Sequence, residues 1–85
     1  MTATPELSTT IELEHDRKRL NYFGQYFKEL RLAEGMTQYE ASSNIGISRG
    51  RLQKAEYGHN IRISTILKLV DYYGLSTSEF FSILD

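Results

Sequence analysis

Between residues 37 and 58 the chain reads TQYEASSNIGISRGRLQKAEYG. The side chains gathered there are suited to hydrogen bonding rather than to making and breaking bonds. Gln38 offers an amide, Arg49 and Arg51 offer planar forks of N–H donors, and Gln53 and Lys54 follow about one helical turn later. An arginine fork matches the O6 and N7 acceptors of guanine, or the oxygens of a phosphate. No catalytic set competes with this reading. The chain has no cysteine, only two histidines (His15 and His59) and no phosphate loop. No Cys-His or Ser-His-Asp set lies on facing elements. We therefore expect no enzyme activity, no cofactor and no metal site.

Positioning these groups requires two short helices with a sharp turn between them. Thr37 and Glu40 form a T-x-x-E capping box, with Met36 placed for a hydrophobic staple. The first of the two helices ends near Asn44, and Gly46 makes the turn. Ser48 caps the second, which runs to about Tyr57. Leu52 and Ala55 face inward, helped by Ile45 and Ile47, which leaves the basic residues outward together. Gln38 falls at the first position of its helix, where free N–H groups and partial positive charge make a seat for phosphate. Arg49 follows the cap and reaches furthest. Arg51 points about 200° away from it, which suits a phosphate clamp better than a second reader. Gly50 costs the helix roughly 1 kcal/mol against alanine. It either lets the helix approach a partner closely or is a gap in the readout. The bland alternative is a basic helix that is only a solvated surface.

The rest of the chain reads as all-α, with about five helices. Gly35, Gly46, Gly58 and Gly74 each follow an apolar periodic segment, and strand signals are weak. Helix one is expected over 18–34, with Leu20, Phe23, Phe27 and Leu30 as its buried stripe. Thr9 and Glu12 could cap an earlier start, after a mobile tail over residues 1–9. The expected division is an acidic N-terminal tail over 1–16, partly helical at most, and a domain over 17–85. Helix four carries Ile63, Ile66, Leu67 and Val70 on one stripe, with Leu69 and Tyr72 off it. Helix five opens with a Ser76-x-x-Glu79 box and carries Phe80, Phe81, Ile83 and Leu84. Adjacent phenylalanines on a helix point about 100° apart, so one of Phe80 and Phe81 packs inward. The other would join Leu69, Tyr72 and Leu84 in an exposed apolar patch suited to self-association.

Charge is unevenly spread. The net charge is −1, yet all ten Lys and Arg lie in 17–68 beside four acids, a surplus of six, whereas residues 1–16 hold four acids and 69–85 three. Such a block attracts phosphates even on an acidic chain. No secretory signal or span of roughly 20 apolar residues is present. We expect a cytoplasmic protein with no membrane contact.

The segments LRLAEGMTQ (30–38), IGIS (45–48), LQKAEYG (52–58) and ISTILKLVDYYGLSTSEF (63–80) carry a family resemblance. In order and spacing, residues 23–84 resemble the Cro/C1-type (XRE-like) helix-turn-helix DNA-binding domain. The resemblance implies a compact five-helix lambda-repressor-like bundle that regulates transcription. Helix two would lie across the DNA backbone and helix three in the major groove, in a homodimer on a near-palindromic site. It implies DNA contacts for Gln38, Ser48, Arg49, Gly50, Arg51, Gln53, Lys54, His59 and Asn60, with Gln38 both bonding phosphate and bracing a reading side chain. His59 is equally well an ordinary surface residue. It also implies a structural ion pair between Arg31 and Glu56, and a dimer interface drawn from Leu69, Tyr72, Phe80, Phe81 and Leu84. Small regulators of this type include phage-type repressors, controllers of restriction–modification operons and antitoxin-type autoregulators.

Two departures stand out. The large aliphatic and alanine usual in helix two are Ala41 and Ser42 here, so Tyr39 or the helix-one aromatics should refill that space. The usual proline and small cap before helix four are Ile61 and Arg62. A rival reading keeps the fold but makes it a protein-interaction module. It would hold a toxin or a polymerase partner through the acidic tail or the Phe80/Phe81 face.

Overall fold

The computed structural model describes residues 6–83, and their side chains except those of 6–14, Thr77, Phe81 and Ile83. The described residues form five α-helices: α1 (Glu6–Ala33), α2 (Gln38–Ile45), α3 (Arg49–Glu56), α4 (Ile63–Tyr72) and α5 (Thr77–Ile83). The fold is all-α, as expected. α1 is 28 residues long and so spans about 42 Å, most of the molecule's 46 Å longest dimension. It begins at Glu6 and passes through Thr9, so Thr9 does not cap it, and no break marks the expected boundary near residue 17. Residues 1–5 lie outside the described residues.

Local chemistry sets the helix ends. The Thr37 hydroxyl accepts from the Glu40 N–H at 3.1 Å, and the Glu40 carboxylate accepts from the Thr37 N–H at 2.9 Å. Ser76 and Glu79 repeat this reciprocal box with both bonds at 3.0 Å. Gly46 ends α2 at φ 87°, a left-handed conformation open to glycine at little cost. α4 still starts directly after Arg62, but with Arg62 in place of the usual small cap its first turn has no side-chain cap.

The core is one cluster: Phe23 and Phe27 from α1, Ala41 from α2, Leu52 and Ala55 from α3, Leu69 and Val70 from α4, and Phe80 from α5. Aromatic contacts tie its ends, with Phe23 against Phe27 (5.5 Å between centroids) and against Phe80 (4.5 Å), and Phe27 against Tyr73 (5.9 Å). α1 comes close to the end of α3 at two points. A Cβ added to Gly24 would lie 2.5 Å from the Ala55 and Glu56 carbonyl oxygens, so only glycine allows this backbone approach. Just beyond α3, Gly58 has φ 79°, and a Cβ there would strike the Asn21 side-chain oxygen. Glycine inside a long helix normally weakens it. At Gly24 it sets the distance between two helices.

Three expectations about packing need correction. Leu69 is fully buried (0 %) and Phe80 nearly so (4 %), so neither belongs to an exposed patch. α4 buries Thr65, Leu69 and Val70, while Ile63 and Leu67 are 62 % and 50 % exposed. The helix is thus turned from the expected stripe. Ile63-Ile66-Leu67-Val70 and Ile66-Leu69-Val70-Tyr73 both satisfy helical spacing. Tyr39 is 69 % exposed and refills nothing in α2. Ala41 and Ser42 are instead buried as they stand, with the Ser42 hydroxyl donating to the Tyr39 carbonyl at 2.9 Å.

The two boxes make stability depend on acid pH. Backbone and then side-chain hydrogen bonds from Thr37 hold the Glu40 carboxyl below its usual pKa, and those from Ser76 do the same for Glu79. A depressed pKa stabilises the fold above the unfolded value, and that contribution is lost as pH falls through the folded value. The double variant Glu40→Gln/Glu79→Gln should therefore melt a few degrees below wild type at neutral pH. The two melting curves should converge once the pH is well under the normal glutamate pKa. Thermal melts followed by circular dichroism across that range would check this.

Candidate nucleic-acid interface

α3 is held at its inner side and free at its outer side. Leu52, Ala55 and Glu56 are buried, whereas Arg49, Gly50, Arg51 and Lys54 are exposed and Gln53 is half-buried. The Ser48 hydroxyl accepts from the Arg51 N–H at 3.1 Å. This leaves the N–H groups of Arg49 and Gly50 without a partner among the described residues, since the first N–H groups of a helix have none within it. The same holds for Gln38 and Tyr39 at the start of α2. The far end of α3 closes through the His59 N–H, which donates to the Lys54 carbonyl at 2.9 Å. The His59 and Asn60 side chains then stand exposed in the loop to α4.

Glu56 is the only acid on α3, and it is fully engaged. Its carboxylate accepts from Arg31 Nε at 2.8 Å and from Nη2 at 3.0 Å, a two-pronged pair with both side chains buried. Arg31 Nη1 also donates to the Met36 carbonyl at 2.9 Å, which ties in the loop before α2. The hydrogen bond that Arg31 donates to Glu56 raises the Arg31 pKa above its usual value against the opposing effect of burial. The negative charge of α3 is thus cancelled inside the fold, and its outer side keeps only positive charge.

The network continues outward. Gln38 Nε2 donates to Glu56 Oε1 at 3.1 Å, and Gln53 Nε2 donates to Gln38 Oε1 at 3.3 Å. A carboxylate can only accept, so the Gln38 NH2 must face Glu56 and its oxygen must face Gln53. Arg31, Glu56, Gln38 and Gln53 therefore form one chain from the core to the surface of α3. The family resemblance implied a bracing role for Gln38 in general terms and a DNA contact for Gln53, but no bond between the two. The missing signal was three-dimensional: positions 38 and 53 come together only once α2 and α3 are folded against each other.

The residues expected at a dimer interface do not form one surface. Leu69 and Phe80 are in the core. Tyr72 is half-buried, its hydroxyl donating to Met36 Sδ at 3.5 Å and accepting from Asn44 Nδ2 at 3.4 Å. The Phe81 side chain and Leu84 lie outside the described residues. Among the described residues no three His, Asp or Glu cluster as metal ligands. Among the described residues, no helix is long and apolar enough to cross a membrane.

Two short helices joined by a left-handed glycine, the second presenting a cationic outer side, define a helix-turn-helix DNA-binding domain. Residues 27–80 match the helix-turn-helix family model, and the chain belongs to that Cro/C1-type family. No curated protein matches it significantly.

Breaking the buried pair from one side strands a charge. Arg31→Ala should destabilise the fold by about 3–5 kcal/mol, a large part of a small domain's total. Urea denaturation of wild type and variant would measure it.

Proposed function

We propose that the protein is a sequence-specific regulator of transcription that binds double-stranded DNA as a homodimer, with α3 in the major groove. The observation that carries this is the outer side of α3. It presents Arg49, Arg51 and Lys54 on a helix whose orientation is pinned by the Glu56 network. Arg49, at the start of α3, reads a base edge. Arg51, Lys54, His59 and Asn60 contact phosphates, as do the free N–H groups of Gln38 and Tyr39. Gln53, steered by Gln38, offers its remaining amide valences beside Arg49 and Ser48. A Cβ at Gly50 would meet nothing within 4 Å, so the fold itself does not require glycine there. We read Gly50 as leaving room for a close approach between the α3 backbone and the bases.

The test is selection of bound sites from a random duplex pool, with wild type, Arg49→Ala and Gly50→Ala side by side. Wild type should return a near-palindrome. Arg49→Ala should lose about 1–3 kcal/mol of preference at one base pair per half-site. Gly50→Ala should stabilise the free protein by up to roughly 1 kcal/mol yet weaken binding. Recovery of nothing above background would move the assignment to a protein-interaction module.

For the homodimer, we propose the pair of exposed aliphatic side chains Ile63 and Leu67, one turn apart on α4, as the contact. Leu67→Glu should leave the melting temperature nearly unchanged and shift sedimentation equilibrium from dimer to monomer. A wild-type chain that sediments as a monomer would remove this interface from the proposal.

A further inference from the structure

Beside the C-terminal end of α3 lies an open groove of about 550 Å³. Its floor is Leu20 and Phe23 of α1, and its exposed rim carries Arg17 and Arg19 of α1 with His59 and Asn60 of the following loop. Arg17 and Arg19 precede the family match, which begins at residue 27. Neither has an ion-pair partner among the described side chains, and exposed Lys18 lies between them. The groove is rigidly placed relative to α3. Gly24 against the last carbonyls of α3, and Asn21 against Gly58, hold α1 close to that end within two turns of Arg17 and Arg19.

We propose that this groove seats the DNA backbone next to the major groove that α3 enters, so that Arg17 and Arg19 are phosphate clamps added to the family's own contact surface. The proposal rests on the DNA-binding reading above. Its geometric basis is length. An eight-residue helix spans about 12 Å, and the major groove is about 12 Å wide. With its N-terminal residues at the base edges, the far end of α3 stands where a phosphate strand begins. The groove lies at that end, and its rim chemistry suits phosphate: two guanidinium forks, an imidazole and an amide. Asp16 lines the same groove and opposes an anion there, which supplies a reverse test.

The experiment measures affinity for the selected duplex and for a random duplex over a range of salt concentrations. It uses wild type, Arg17→Ala/Arg19→Ala, Asp16→Asn, and Lys68→Ala as a charge control on exposed α4. Each phosphate contact contributes about 0.9 to the slope of log affinity against log salt. The double variant should reduce the slope by about 1.8 with the selected sequence unchanged, while Lys68→Ala leaves it nearly intact. Asp16→Asn should tighten binding to both duplexes. An unchanged slope in the double variant, with wild type still selecting its site, would overturn the groove and leave the DNA-binding reading standing. A changed sequence preference would overturn it too, because a phosphate clamp reads no bases. Failure of wild type to bind any duplex would instead overturn the underlying reading, and this inference with it.

Discussion

The fold turns on the buried pair between Arg31 and Glu56. Arg31 sits near the end of α1 and Glu56 at the end of α3, and the guanidinium also holds the Met36 carbonyl just before α2. One side chain therefore fixes three elements. Charges so deep cost a great deal of solvation unless their donors and acceptors are saturated. Here each guanidinium nitrogen of Arg31 donates, both carboxylate oxygens of Glu56 accept, and Gln38 takes up a further acceptor site. The pair is directional where the apolar core is not. Phe23, Phe27, Leu52 and Leu69 would tolerate small sliding motions between helices, whereas a two-pronged ion pair does not.

That constraint passes outward to the surface proposed for binding. Glu56 orients Gln38, and Gln38 orients Gln53, by a donor and acceptor logic that leaves one amide orientation. The same pairing removes the only negative charge of α3 from its exposed side. Scaffold and interface are thus two ends of one hydrogen-bonded chain. The close approach of α1 at Gly24 serves the same end sterically. It brings the backbone of the long first helix against the carbonyls that terminate α3, so α3 is held along its inner side and at its tail while its N-terminal residues stay free.

Two exposed features follow from how little core a chain of this size can enclose. α4 buries Leu69 and Val70 and leaves Ile63 and Leu67 in solvent, and α1 runs past the core to leave a groove above Leu20 and Phe23. Cations with no ion-pair partner among the described side chains gather at the second, and exposed aliphatic side chains at the first. These are different surfaces with different chemistry, the first proposed for a second copy of the chain and the second for a polyanion.

The sequence by itself determined the helices, their caps and the two-helix unit. These depend on neighbours a few residues apart: the Thr37 and Ser76 boxes, the Ser48 cap, and glycines at left-handed turns. The partnership of Arg31 with Glu56, 25 residues distant, was legible only through family resemblance. Which side of α4 faces inward was not legible, because Leu67 and Leu69 each complete a helical stripe and only the neighbouring helices choose between them. The tertiary structure also decided the partners of Gln53, the need for glycine at 24, and the meeting of Arg17 and Arg19 with the His59 loop. Each of these joins groups far apart in the chain, and no local preference encodes a distance across the fold.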